Sequence, residues 1–295
     1  MESVSIPWTR RFCSSSCPCR SGKPAYSCCW KGNARWEKKP AGIITPGGNQ
    51  YSHDACYLSP SNDCGTKITK EHFISRNVLA RISGSLLKFE DAAHFFGGKP
   101  SVEIGIDAFS AKVLCDVHNS ALSILDDEAG LTFSKMEDFY LDLTRLPAAK
   151  RVSHSFYLSS GLDIERWLIK VYCGLVAAGK IRGLNGTKVQ RETLPACLLD
   201  ALMGRSTLAG PLGLYYHSFA GQKRKSGGLT FATIQLTNGS DMVGGLMLSL
   251  GIMSFVLVTT ELYGRTFNDP NWYRHPTFLF NVKQSGSRAV YLLTY

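Results

Sequence analysis

The chain has 295 residues, enough for two domains of ordinary size, each with a real core. Its 44% hydrophobic and 19% charged content excludes a disordered or fibrous polymer. A formal net charge of +10 favours polyanionic partners and leaves the kind of polyanion open.

The first residues, MESVSIPWTRRF, lack a basic start followed by an apolar run, so a secretory signal is not expected and a reducing, cytoplasmic setting is. Residues 13–30, CSSSCPCRSGKPAYSCCW, then hold five of the ten cysteines. Under reducing conditions such a cluster reads as metal ligands rather than bridges. Cys17, Cys19, Cys28 and Cys29 form two close pairs joined by a turn at Ser21-Gly22, which suits one tetrahedral zinc ion; Cys13 is a spare thiol. The stretch resembles the SEC-C motif, a small zinc knuckle, through Cys17, Pro18, Cys19, Ser21, Gly22, Cys28 and Cys29. Arg20 departs from the glycine usual there. The resemblance implies a knuckle over residues 1–39 with a possible role in docking a protein partner.

The middle of the chain has the opposite charge balance to its flanks. Residues 51–130 carry seven Lys/Arg against eleven acids, whereas both flanks are basic, a pattern that suits a cation-binding centre between phosphate-attracting surfaces. Here Cys56 and Cys64 flank a Ser/Pro/Asn turn, and Cys115 and His118 follow at the start of an expected helix. Four such groups suffice for a second structural zinc. Between them KITKEHF alternates as a short strand and ends in Glu71-His72.

This segment, about 55–130, resembles the HNH endonucleases, the ββα-metal fold, through KEH and LCDVHN. The resemblance puts Cys56, Cys64, Cys115 and His118 on the bracing positions, Glu71-His72 on the strand pair and Asn119 on the asparagine position. It implies that His72 is the general base and that Asn119 orients it by hydrogen bonding. Glu71 would bind Mg²⁺ or Mn²⁺ together with a third ligand. For that ligand Asp126 is the choice over Asp127, because it shares a helix face with Asn119 and Ser123. Hydrolysis of a phosphodiester needs a base that works near neutral pH and charge relief on the phosphate, which imidazole and a hard cation provide. The residues also admit a plainer reading, with Glu71-His72 a solvated strand end and Asn119 a helix cap. The spacing from His72 to Asn119 exceeds the compact form of the motif, so residues 80–111 are an insertion, with a helix over NVLARISGSLLKF and a loop through Gly97-Gly98.

From 131 onward no family resemblance is found. GLDIERWLIKVYCGLVAAGK, residues 161–180, has the period of an amphipathic helix with Asp163 and Glu165 near its start. A second helix is expected over TLPACLLDALM, with Cys173 and Cys197 as core thiols. Alternating segments beyond 212 predict one antiparallel sheet of five or six strands. The apolar run 242–260 contains three glycines and reads as two strands bent at Gly251 rather than a membrane span. GQKRKSGG, 221–228, is a basic turn, and His154, His217 and His275 are isolated.

The expectation is an α+β chain: a knuckle at 1–39, an HNH-like module at 51–130 and an α+β domain at 131–295. The leading function is a divalent-metal-dependent endonuclease acting on nucleic acid, DNA first, with no membrane association. A role in bacterial defence against phage or mobile elements would suit such a fusion. Two other classes compete: a zinc-braced binding module without catalysis, and an adaptor that docks through its knuckle.

Overall fold

The computed structural model describes residues 17, 19, 21–30, 43, 50–83, 86–90, 101–145, 154–183, 186–218, 229–235, 243–250, 253–261, 273–274, 277–282 and 287–295. Cys13, Pro18, Arg20, Gly97-Gly98, the basic turn at 221–228, Gly251 and His275 lie outside the described residues.

The architecture is α+β. In chain order come β1 (Ile68–His72), α1 (Arg76–Ser83), β2 (Leu86–Glu90), β3 (Ser101–Gly105), β4 (Ser110–Cys115), α2 (Asp116–Arg145), β5 (His154–Ser160), α3 (Gly161–Ala177) and α4 (Ala196–Leu202). Six strands follow: β6 (Gly213–Ser218), β7 (Leu229–Gln235), β8 (Val243–Leu250), β9 (Met253–Val258), β10 (Thr277–Val282) and β11 (Ser287–Thr294). They form two compact units, each assembled from separated segments. One comprises Met1–Ala41, Leu131–Leu162 and Pro276–Tyr295; the other comprises Gly42–Gly130 and Asp163–His275.

In the second unit β1 and β4 pair antiparallel, with Glu71 opposite Ala111 and His72 opposite Ser110. The register shifts between Thr69 and Lys70, a bulge that re-aims the side chains beyond it. α2 starts directly after β4 at Asp116, two residues before the start expected from sequence, and an acid in its first turn favours that end. An antiparallel strand pair followed by a helix is thus present. The insertion differs from expectation: α1 stops at Ser83, and residues 86–90 are a strand paired antiparallel with β3. The apolar residues LLKF therefore satisfy their backbone groups across a ladder rather than along a helix.

α3 is the core of this unit. Its period suggested one buried face, but the side chains from Leu162 to Val176 are buried all round, including Asp163, Glu165, Arg166 and Lys170. Buried charges must be paired, and these are. Asp163 meets Arg166 at 3.5 Å, and Glu165 accepts two hydrogen bonds from Arg274, at 3.0 and 2.7 Å, and one from Leu214 N. Gly174 lets α3 approach the chain just after β1, since a Cβ there would lie 3.2 Å from the Phe73 ring. The four-stranded antiparallel sheet has the order β6-β9-β8-β7. The run 242–260 is thus the β8–β9 hairpin, and among the described residues no helix is long and apolar enough to cross a membrane.

The expected single sheet is corrected by the first unit. There β10 and β11 leave the other four strands and join β5 in the order β10-β11-β5, with β11 parallel to β5. Alternation marks a strand but does not choose its partner, and β5 itself was not foreseen. Phe139, Tyr157 and Tyr291 pack edge-on and stacked over this sheet, and Lys135 Nζ donates to Leu158 O at 2.7 Å. A second correction concerns Cys197, which is exposed on α4; Cys173 is buried as expected.

Candidate functional site

The N-terminal cluster is built by a tight loop. Cys17 N donates to Lys23 O at 2.9 Å, a 3₁₀ turn spans Ala25–Ser27, and Gly22 takes φ +71°, a conformation that favours glycine. This brings the ligand atoms of Cys17, Cys19, Cys28 and Cys29 within 4.8 Å of one another. Cys19 and Cys28 sulfurs are 3.4 Å apart, and Cys28 and Cys29 sulfurs 3.7 Å. Zinc bonds of about 2.3 Å at tetrahedral angles would separate sulfurs by about 3.8 Å, so the set fits that ion. Cys17 and Cys29 are buried with Ala25, Trp30 and Leu158 of β5, which anchors the loop on its sheet. Burial opposes ionisation of Cys19, but hydrogen bonds with Ser21, Cys17 and Cys28 hold its thiol down at about 6. Ser21 Oγ also lies 3.0 Å from Cys28 Sγ, which gives the Ser-Gly pair of the motif a physical role.

The second cluster joins the loop before β1 to the β4–α2 junction. Cys56, Cys64, Cys115 and His118 are all buried, and their ligand atoms lie within 4.8 Å of one another. His118 Nδ1 faces the three sulfurs at 3.5, 3.7 and 3.1 Å. Its Nε2 lies 2.8 Å from Asp63 Oδ1, so the proton belongs on Nε2 and the Nδ1 lone pair points at the metal position. Ser61 Oγ in turn donates to Asp63. Gly65 N and His118 N donate to Cys115 Sγ at 3.3 and 3.4 Å. Gly65 has no room for a side chain, because a Cβ would sit 1.9 Å from Asp116 Oδ1. Burial and the neighbouring sulfurs push the Cys56 and Cys64 thiols up, so these two would ionise together only with a cation among them. Two Cys/His clusters that could hold zinc are therefore present. Asp63 was not foreseen; an acid next to a cysteine in a polar turn carries no sequence signal.

His72 ends β1 with 27% of its side chain exposed. Its Nε2 is covered, meets no hydrogen-bond partner among the described residues, and lies 3.5 Å from Oδ1 of the exposed Asp107. Asn119, on the first turns of α2, donates from Nδ2 to Thr69 Oγ1 at 3.0 Å and to Lys70 O at 3.4 Å. It thereby ties α2 to the strand just ahead of Glu71-His72.

Glu71 and Asp126 do come together, but around an ammonium. Lys170 Nζ of α3 contacts Glu71 Oε1 and lies 2.7 and 2.6 Å from the two Asp126 oxygens. Ser75 Oγ donates to Asp126 Oδ1, and Trp167 Nε1 donates to Ser75 Oγ at 2.6 Å, so α3 both supplies the cation and orients the carboxylate. Burial pushes the Glu71 carboxyl up to about 7 against the pull of Lys170. Asp126 faces inward and Asp127 is exposed. The donor set is right for Mg²⁺ or Mn²⁺, but the central position is taken by Lys170, and the pair as arranged does not fit a divalent ion. Lys170 lies 44 residues beyond Asp126 in a segment without a motif, which is why sequence reasoning missed it.

No family model, curated protein or solved structure matches the chain.

Proposed function

We propose that residues 51–130 are a zinc-braced HNH-type module that hydrolyses phosphodiester bonds in nucleic acid, with DNA the first substrate to test. The observation that carries this reading is the state of His72: an imidazole nitrogen that meets no hydrogen-bond partner among the described residues, on a strand end held by Asn119 and braced by the Cys56/Cys64/Cys115/His118 cluster. Buried polar atoms are almost always bonded, and an unbonded imidazole nitrogen is what a general base needs to take a proton from water. Asp107, at 3.5 Å, would stabilise the imidazolium so formed. A zinc ion in the brace supplies rigidity and takes no part in the reaction. Mg²⁺ or Mn²⁺ would supply charge relief on the phosphate, but the two carboxylates assigned to it share Lys170, so no step is routed through that ion. The SEC-C-like knuckle would dock a protein partner.

Plasmid cleavage by zinc-replete protein tests this, with Mg²⁺ and Mn²⁺ arms and His72→Ala beside the wild type. Loss of cleavage on the order of 10²–10⁴-fold with DNA binding retained supports the base role. Equal rates would exclude it.

A second reading has its own observation in its favour. With Glu71 and Asp126 neutralised internally, the module would keep the brace and bind nucleic acid or protein without cutting. Binding with no cleavage in any metal arm would select it.

A further inference from the structure

We infer that the Lys170 ammonium is the resident cation between Glu71 and Asp126, and that the native chain holds this carboxylate pair without a divalent metal ion. An ammonium has three N–H donors, and Nζ meets three oxygens here: one of Glu71 and both of Asp126. Both carboxylates therefore close on the same ammonium, Asp126 by two hydrogen bonds and Glu71 by an ion pair. Lys170 and Glu71 are buried, 1% and 5% exposed, and only Asp126 reaches toward solvent with a quarter of its side chain, whereas Mg²⁺ normally keeps several of its waters. A divalent ion could enter only by displacing a positive charge at the same point, and Lys170 has little freedom to leave. It lies in the middle of α3, one turn after Trp167, whose indole is fully buried and donates to Ser75, which itself holds Asp126. The inference stands whether or not the module cleaves nucleic acid.

The test is Mn²⁺ binding, read by electron paramagnetic resonance and by thermal shift on full-length, zinc-replete protein. Wild type should show no Mn²⁺ equivalent that depends on Glu71. Lys170→Met keeps the length and apolar stem and leaves two facing carboxylates. It should melt lower than wild type, gain one Mn²⁺ equivalent and recover its melting temperature with that ion. Adding Asp126→Asn should abolish the gain. A folded Lys170→Met that takes up no Mn²⁺ would overturn the assignment of this point as a cation position. Should Lys170→Met fail to fold, the wild-type arm decides. One bound Mn²⁺ that Glu71→Gln removes would overturn the inference, and the same spectrum for both proteins would sustain it.

Discussion

Glu71 sits almost wholly out of water on a strand whose other residues are half-buried or exposed, and its titration reports that position. Its carboxyl is held near 7 in the folded chain against an ordinary value of 4.5. Between these values the folded state keeps a proton that the unfolded state has lost, so the contribution of Glu71 is full below pH 4.5 and fades as pH rises through 7. The shift corresponds to about 3 kcal/mol at most. Glu71→Gln does not titrate, so its unfolding free energy relative to wild type should rise across pH 4.5 to 7 in denaturant titrations of zinc-replete protein. Parallel curves for the two proteins would rule this out. Asp63 allows a second test, since it holds the metal-facing tautomer of His118. Asp63→Asn should weaken zinc at that cluster about 10–100-fold in chelator competition, the usual loss when such a partner is removed. The ligands themselves were legible because cysteine spacing is a strong signal. Asp63, which orients His118, and Lys170, which lies between Glu71 and Asp126, were not, because each acts through a tertiary contact.

At the scale of elements, the strand pair and helix that present His72 and Asn119 follow from local pattern: alternation in KITKEHF, and a helix start beside Cys115. Local pattern carries the helix after β1 too far, because LLKF suits a strand as well as a helix and only β3 settles the choice. Strand existence was legible beyond 212, but sheet membership was not; β11 takes β5 as its parallel neighbour across more than a hundred residues of chain. Asn119 is the cross-link between α2 and β1, so Asn119→Ala should lower the denaturant midpoint by the equivalent of about 1 kcal/mol, the net worth of a typical hydrogen bond. An unchanged midpoint would mean that this tie contributes nothing. Among the described residues of the N-terminal loop, a 3₁₀ turn brings the four sulfurs together. Cys19→Ser should therefore remove one zinc equivalent and leave the Cys56/Cys64/Cys115/His118 cluster loaded, as read by elemental analysis.

For the molecule as a whole, the two clusters lie in different compact units, so each unit would have its own metal to lose. Anaerobically purified protein should carry two zinc ions per chain, and protein free of zinc would remove the basis for both centres. The clusters also change what the chain presents to a polyanion. Loading them expels seven thiol protons, four from the knuckle and three from the brace, and admits two doubly charged ions. The formal charge of +10 then falls by about three, so the loaded chain should migrate as the less basic species in native electrophoresis at pH 7. Stripping the metal would make the protein a stronger non-specific ligand for nucleic acid while it loses its structure. Electrostatic retention on heparin or DNA is therefore a misleading measure of the native fold, unless zinc content is determined on the same fraction.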